Sequence, residues 1–129
     1  MKRISRSLRE QPASTFIGGV MVARLVEMVV KPGAAACLSD AVDNRAVPLA
    51  QRCGGFQGHL MMVLREEPRI VVIASFWDTE DDAARYEQDT FPRVRSLMLP
   101  FLEGDIRART FVITSQPQTV SRIMKRERA

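Results

Sequence analysis

From Arg69 to Trp77 the chain reads Arg-Ile-Val-Val-Ile-Ala-Ser-Phe-Trp, a nearly continuous apolar run rich in β-branched and aromatic side chains. Such a run reads as a strand whose alternate residues point to opposite faces, and here both faces are apolar, so both need cover. Glu66, Glu67 and Pro68 form a turn ahead of it. Before the turn, Phe56 to Leu64 alternates, with Phe56, Leu60, Met62 and Leu64 on one face and Gln57, His59, Met61 and Val63 on the other. The two segments pair as a buried hairpin, and the rest of the chain must supply partners for its edges and faces.

Val20 to Val30, rich in Val and Met and closed by Lys31, Pro32 and Gly33, reads as a further strand. From Ala34 to Cys53 the apolar positions Leu38, Val42, Ala46, Leu49 and Cys53 recur at steps of three and four, the spacing of one helical face. Pro48 is expected to bend this helix or end it early, and Gly54 and Gly55 to stop it. After the hairpin, Asp78 or Thr79 is placed to cap a helix, with Asp82 completing a capping-box pattern and acidic residues at the positive end of the helix dipole. Tyr86 lies on this helix. Pro92 suits the first turn of a continuation lined by Val94, Leu97, Met98, Phe101 and Leu102, which Gly104 terminates. A last strand spans Ile106 to Thr114. The fold class that follows is α+β: a ferredoxin-like βαββαβ chain whose antiparallel four-stranded sheet carries two helices on one face.

The 129 residues suffice for one domain with a real core, and a hydrophobic share of 46% excludes a disordered chain. The net charge of +4 belongs to the ends. Residues 1–10 and 115–129 each carry +3, leaving −2 on the body. We therefore expect a basic N-terminal tail over residues 1–15, the domain over 16–115 and a basic C-terminal tail over 116–129. With no aromatic residue among the tail charges to stack on bases, two solvated arms fit better than a nucleic-acid site. Residues 1–9 resemble a transit peptide only weakly, because apolar residues are sparse there. One histidine and two cysteines leave too few ligands for a zinc site, so no metal is expected. Cys37 and Cys53, sixteen residues apart on one helical segment, lie beyond disulfide range, which points to a reducing, cytoplasmic setting. The longest uncharged stretch, Gln11 to Ala23, falls short of the roughly twenty residues of a membrane helix.

Counting faces leads to a partner. Two helices cover one side of a four-stranded sheet, and the more uniformly apolar set Phe56, Leu60, Met62, Ile70, Val72, Phe76, Ile106 and Val112 is assigned to that side. The other side then presents Met61, Val63, Val71, Ile73, Trp77, Phe111 and Ile113, mixed with Gln57, His59, Arg107 and Arg109. That is more apolar surface than a monomer leaves to water, so a homodimer is expected.

Lys31-Pro32-Gly33, about twenty helical residues, Gly55-Phe56-Gln57-Gly58, and Ser75-Phe76-Trp77-Asp78-Thr79-Glu80-Asp81 entering a helix together resemble the antibiotic-biosynthesis monooxygenase-type domains of the dimeric α+β barrel superfamily. The resemblance covers about residues 20–114. It implies a dimeric α+β barrel and a relationship to small oxygenases that act on aromatic polyketides or quinols without metal or flavin, so no cofactor is expected. The superfamily also contains haem-degrading enzymes, whose Asn, Trp and ligating His align with Val26, Tyr86 and Ser96. All three depart from that pattern, and Ser96 offers no nitrogen ligand. Quinol-oxygenase members often place a His near the start of the second helix, and this sequence has none there.

For a cofactor-independent monooxygenase acting on a planar aromatic molecule, the candidate catalytic residues are Tyr86, whose phenol can hydrogen-bond a ligand oxygen, and His59, which can act as a base. Trp77 is a candidate pocket wall, though a Trp here is more often core. Arg107 and Arg109 share a face of the last strand and could clamp a carboxylate or phenolate, with Glu27 as their ion-pair partner. Cys37 and Cys53 lack an activating base and read as helical packing residues. Met21, Met28, Met61, Met62 and Met98 fall at expected core positions, where thioethers fill an adaptable cavity. A non-catalytic barrel that binds a small hydrophobic ligand or a partner is the alternative.

Overall fold

The computed structural model describes residues 20–115. The basic tails expected at 1–15 and 116–129 lie outside the described residues. Strands β1 (Val22–Val30), β2 (Phe56–Val63), β3 (Ile70–Trp77) and β4 (Leu102–Val112) form one antiparallel sheet in the order β2-β3-β1-β4. The β1-to-β2 and β3-to-β4 connections are both helical, and both cross the same face, which gives the ferredoxin-like arrangement.

The first helical layer is interrupted. Helix α1 (Ala35–Ala41) runs through a π-helical turn at Val42–Ala46 into α2 (Val47–Gln51). Its buried side chains are Leu38, Ala41, Val42, Ala46 and Ala50, of which Leu38, Val42, Ala46 and Ala50 each come four residues after the last. In an ideal α-helix a step of four overshoots a full turn by about 40°, so these four would spiral away from the sheet. The wider π turn takes up that drift and keeps them on one face. The periodic pattern therefore continues to Ala50, while Leu49 and Cys53 are only half-buried. The run does not end at Pro48, which follows on the π turn, where the regular i→i−4 ladder is already interrupted.

The second layer is α3 (Glu80–Asp89) and α4 (Phe91–Met98), followed by a 3-10 turn at Leu99–Phe101. Thr79, not Asp78, is the N-cap of α3, its Oγ1 accepting from the Asp82 amide at 3.1 Å. Pro92 falls in the first turn of α4, and Thr90 both ends α3 and precedes α4. The 3-10 turn, rather than Gly104, closes this layer, and β4 begins at Leu102, so Gly104 lies within the strand at φ +78°.

The core lies between the helices and one face of the sheet, and that face is not the expected one on β2 and β3. The buried residues are Val71, Ile73 and Trp77, whereas Ile70, Val72 and Phe76 point to the uncovered side. The register explains this. Val22 pairs with both Trp77 and Val112, and Val26 with both Ile73 and Ala108, so the buried positions of β1 carry their neighbours onto the helix side. A bulge between Phe56 and Gly58 then shifts the parity of β2. Phe56 stays on the covered face, His59 and Met61 join it, and Leu60 and Met62 turn outward. The β4 assignment holds for Ile106, which packs against the core, and for Arg107, Arg109 and Phe111 on the open side. Of the methionines expected inside, Met28 and Met98 are buried and Met61 packs on the core, but Met62 is exposed.

Candidate functional site

On the covered face, cross-strand pairing sets His59 opposite Ser75, Ser75 opposite Arg24 and Arg24 opposite Thr110. Polar side chains thus cross the sheet in one row, between the apolar rows Phe56-Trp77-Val22-Val112 and Met61-Ile73-Val26-Ala108. Helices α3 and α4 close over this row. The capped start of α3 fixes its first turn, and Tyr86, two turns in, is buried with its ring on Trp77, centroids 4.7 Å apart. Phe56 meets the other side of Trp77 edge-on at 5.3 Å, and Phe91 of α4 lies 6.1 Å from Tyr86. Four aromatic rings therefore run in contact from the edge of the sheet to the junction of α3 and α4.

A cavity of about 40 Å³ opens between this ladder, the sheet and the first helical layer. Its polar lining is Arg24, His59, Ser75 and Tyr86, set among Phe56, Phe91 and aliphatic side chains. That volume holds about two or three waters. A second hollow, of about 200 Å³, lies against another part of Tyr86 and is lined by Cys53, Asp82, Arg85, Asp89 and Thr90. There Cys53 Sγ is 3.3 Å from Thr90 Oγ1 and 3.5 Å from the Leu49 carbonyl.

Arg24 dominates the electrostatics of the cavity. It is 3% exposed, and its guanidinium lies 4.0 Å from the Phe91 ring centroid and 5.6 Å from that of Tyr86. The nearest carboxylate is Glu87, itself largely in water, whose Oε1 stands 3.6 Å from Nε. At that separation Nε is buried without a hydrogen-bond partner. Burial pulls the Arg24 pKa down from its ordinary value, opposed by the charge of Glu87 and then by Tyr86. The Tyr86 phenol is pushed up to about 12 by burial, with Arg24 pulling the other way and Cys53 adding to the rise. Tyr86 is therefore a neutral hydroxyl, able to donate, at any ordinary pH.

Of the residues singled out from the sequence, Tyr86 and His59 line the cavity and Trp77 does not. Trp77 is 0% exposed and backs the residues that do, its Nε1 donating to Ser75 Oγ at 2.9 Å. Arg107 and Arg109 are separated from the cavity by the sheet itself. Arg109 Nη2 lies 3.8 Å from Glu27 Oε1, with its guanidinium over Phe111, and Arg107 stands opposite Glu27 across β1 and β4. Val26 lines the cavity, and Ser96 is exposed on α4, its hydroxyl donating to the Pro92 carbonyl. Cys37 is exposed, and both cysteines are free thiols. Among the described residues no helix is long and apolar enough to cross a membrane.

Sequence reasoning missed Arg24 and Ser75. The signal for Arg24 was present: it occupies the same alternating series as Val22, Val26, Met28 and Val30, a lone charge on the apolar face of β1. Ser75 interrupts the buried series of β3 in the same way.

The family model for antibiotic biosynthesis monooxygenase matches residues 21–90, from the start of β1 to the end of α3. No curated protein matches the sequence. Among solved structures, the chain is similar to a candidate antibiotic biosynthesis monooxygenase from Bordetella bronchiseptica, with 20% identity and a TM-score of 0.65 over 74% of this chain and 99% of that one. A variant of SnoaB, a cofactor-independent oxygenase from Streptomyces nogalater, is 19% identical with a TM-score of 0.62 over 76% of this chain and 97% of the other. A conserved protein from Methanosarcina mazei is 14% identical at a TM-score of 0.61, covering 71% of this chain and 91% of its own. At these identities the likeness is one of fold.

Proposed function

Because the chain belongs to the antibiotic biosynthesis monooxygenase family, we propose that it oxygenates a small planar aromatic molecule bound between the sheet and α3–α4, using dioxygen and no bound metal or flavin. The observation that carries this reading is the aromatic ladder Phe56, Trp77, Tyr86 and Phe91 flanking a cavity that also holds His59. Apolar sites with a few convergent polar groups are the usual form of small-ligand sites. A three-ring molecule is larger than the cavity, so on this reading binding draws α4 outward about its junction with α3 at Thr90.

In the proposed reaction His59 takes a proton from an activated CH₂ of the substrate, and the neutral Tyr86 hydroxyl donates to the adjoining carbonyl as it gains negative charge. The resulting carbanion supplies the electrons that reduce dioxygen. One oxygen atom stays on the carbon as a ketone, and the other leaves as water with both hydrogens of the CH₂, so no external reductant is consumed. Oxygen-electrode measurements with anthrone, whose CH₂ is activated by the ring carbonyl, test this. Uptake of one O₂ per ketone formed is expected, with kcat reduced about a hundredfold in His59→Gln. Ligand binding without any uptake would instead identify a non-catalytic binding barrel. A Tyr86→Phe variant with unchanged rates and ligand affinities would remove Tyr86 from the site.

The same reading makes the protein a homodimer. Leu60, Met62 and Phe111 are 37%, 43% and 46% exposed on the uncovered face, beside half-buried Ile70, Val72 and Phe76. A second copy related by a two-fold axis would bring two such faces together and close a barrel-like core. Light scattering is expected to give twice the 14.5 kDa of one chain. A stable monomer that does not bind hydrophobic dyes would overturn it.

A further inference from the structure

Arg24 is not explained by the proposed chemistry or by the fold. Replacing a buried charge by an apolar side chain of similar volume is often neutral or stabilising, so a buried guanidinium whose Nε makes no hydrogen bond and whose only carboxylate neighbour among the described residues lies at 3.6 Å is weak as a structural device. Buried polar atoms in native proteins are nearly always paired, and the exceptions call for a reason. Here the residue that carries the exception lines a cavity.

The geometry narrows what would pair with it. Phe91 sits over the guanidinium with its ring centroid 4.0 Å from Cζ, and Tyr86 flanks it at 5.6 Å. These contacts hold the cation on aromatic faces, and they satisfy none of its N–H donors. Recognition is left to the edge, where Nε has no partner. Guanidinium edges pair with carboxylates through two parallel hydrogen bonds lying in a common plane. Glu87 does not fill this role: its Oε1 is 3.6 Å away and its side chain is 56% exposed, on the solvent side of the helix.

We infer that Arg24 anchors a carboxylate on the ligand, making the molecule bound in this cavity an aromatic acid. This rests on the cleft proposed above as the binding site and adds the ligand's charge to it. The acid group would lie along the Arg24 edge, with its ring system against the Tyr86 and Phe91 rings. The anion also supplies the countercharge that Glu87, in water, provides only at a distance.

The experiment compares anthraquinone-2-carboxylate with anthraquinone-2-carboxamide, two probes of nearly equal shape, by isothermal titration calorimetry at neutral pH on the full chain. The acid is expected to bind at least about tenfold more tightly than the amide. In Arg24→Met the ratio is expected to fall to about one with the amide affinity retained. Arg24→Lys, which keeps the charge without the planar fork, is expected to lose most of the preference. Equal affinities in the unaltered protein would overturn the anion anchor while leaving the cleft reading intact. Failure of both probes to bind would overturn both. A preference that persists undiminished in both variants would assign the anion to another cationic group and overturn the role of Arg24. The comparison in the unaltered protein needs no variant, so it decides the matter even where a substitution harms folding.

Discussion

The two faces of the sheet hold similar side chains in opposite circumstances. On the covered face, Trp77, Met28 and Val71 are at most 2% exposed, and an arginine is sealed in with them. On the open face, Leu60, Met62 and Phe111 are more than a third exposed, and Arg109 meets its acidic partner at the surface. Hydrophobicity alone does not separate the two faces, since β3 is apolar on both. What separates them is the helical layer, which converts one face into core and leaves the other uncovered among the described residues. The two arginines make the same point. Arg24, dry and short of a partner, carries binding information, whereas Arg109, wet and paired, carries little energy.

The sharpest test of that contrast is Trp77→Ala. Emptying the centre of the covered face is expected to cost about 3–5 kcal/mol in urea unfolding, enough to unfold much of the population. A cost under about 1 kcal/mol would mean that the helices do not press on the sheet as described. Alkaline pH tests the same face through Tyr86. Its pKa is raised from 10.0 to about 12 in the fold, so the folded state favours the protonated phenol. That stabilisation is complete below about pH 10 and is lost as pH rises through 12, a change of up to about 2–3 kcal/mol. Unfolding at pH 9 and pH 12 should show this loss in the unaltered protein, and a correspondingly smaller one in Tyr86→Phe.

On the open face, Leu60→Ala distinguishes a bare surface from a covered one. In the proposed homodimer it is expected to cost about 2 kcal/mol. It should also weaken the rise of the thermal midpoint with protein concentration. A face left in water would give under about 1 kcal/mol and no concentration dependence. The smallest effect is expected at Arg109→Ala, about 0.5 kcal/mol or less, because its ion pair is solvated. A cost of 2 kcal/mol or more there would place the Arg109–Glu27 pair inside an interface.

Much of the architecture was legible because it depends on local periods. Alternating runs mark β1 to β4, the Thr79 cap and Pro92 mark the second helical layer, and the order of elements constrains the sheet. The site was only partly legible. Tyr86 and His59 stood out as lone members of their types in this chain, and both line the cavity. Arg107 and Arg109 were grouped with them by residue chemistry alone, and the sheet lies between. Arg24 went unremarked among the valines around it.

The sequence by itself determined which segments extend, which coil and in what order, because backbone sterics and side-chain period act over a few neighbouring residues. The tertiary structure decided which face of each strand became core. Parity depends on the cross-strand register and on the bulge at Gln57, and a strand apolar on both sides, such as β3, carries no local mark of its inner face. It also decided where the first helical layer turned inward, using Ala50 in place of Leu49 once the π turn had widened the repeat. Arg24 belongs to the same class. The alternation of β1 sets Arg24 on its apolar face but not what encloses it there, because Tyr86 and Phe91 come from helices more than sixty residues away in the chain.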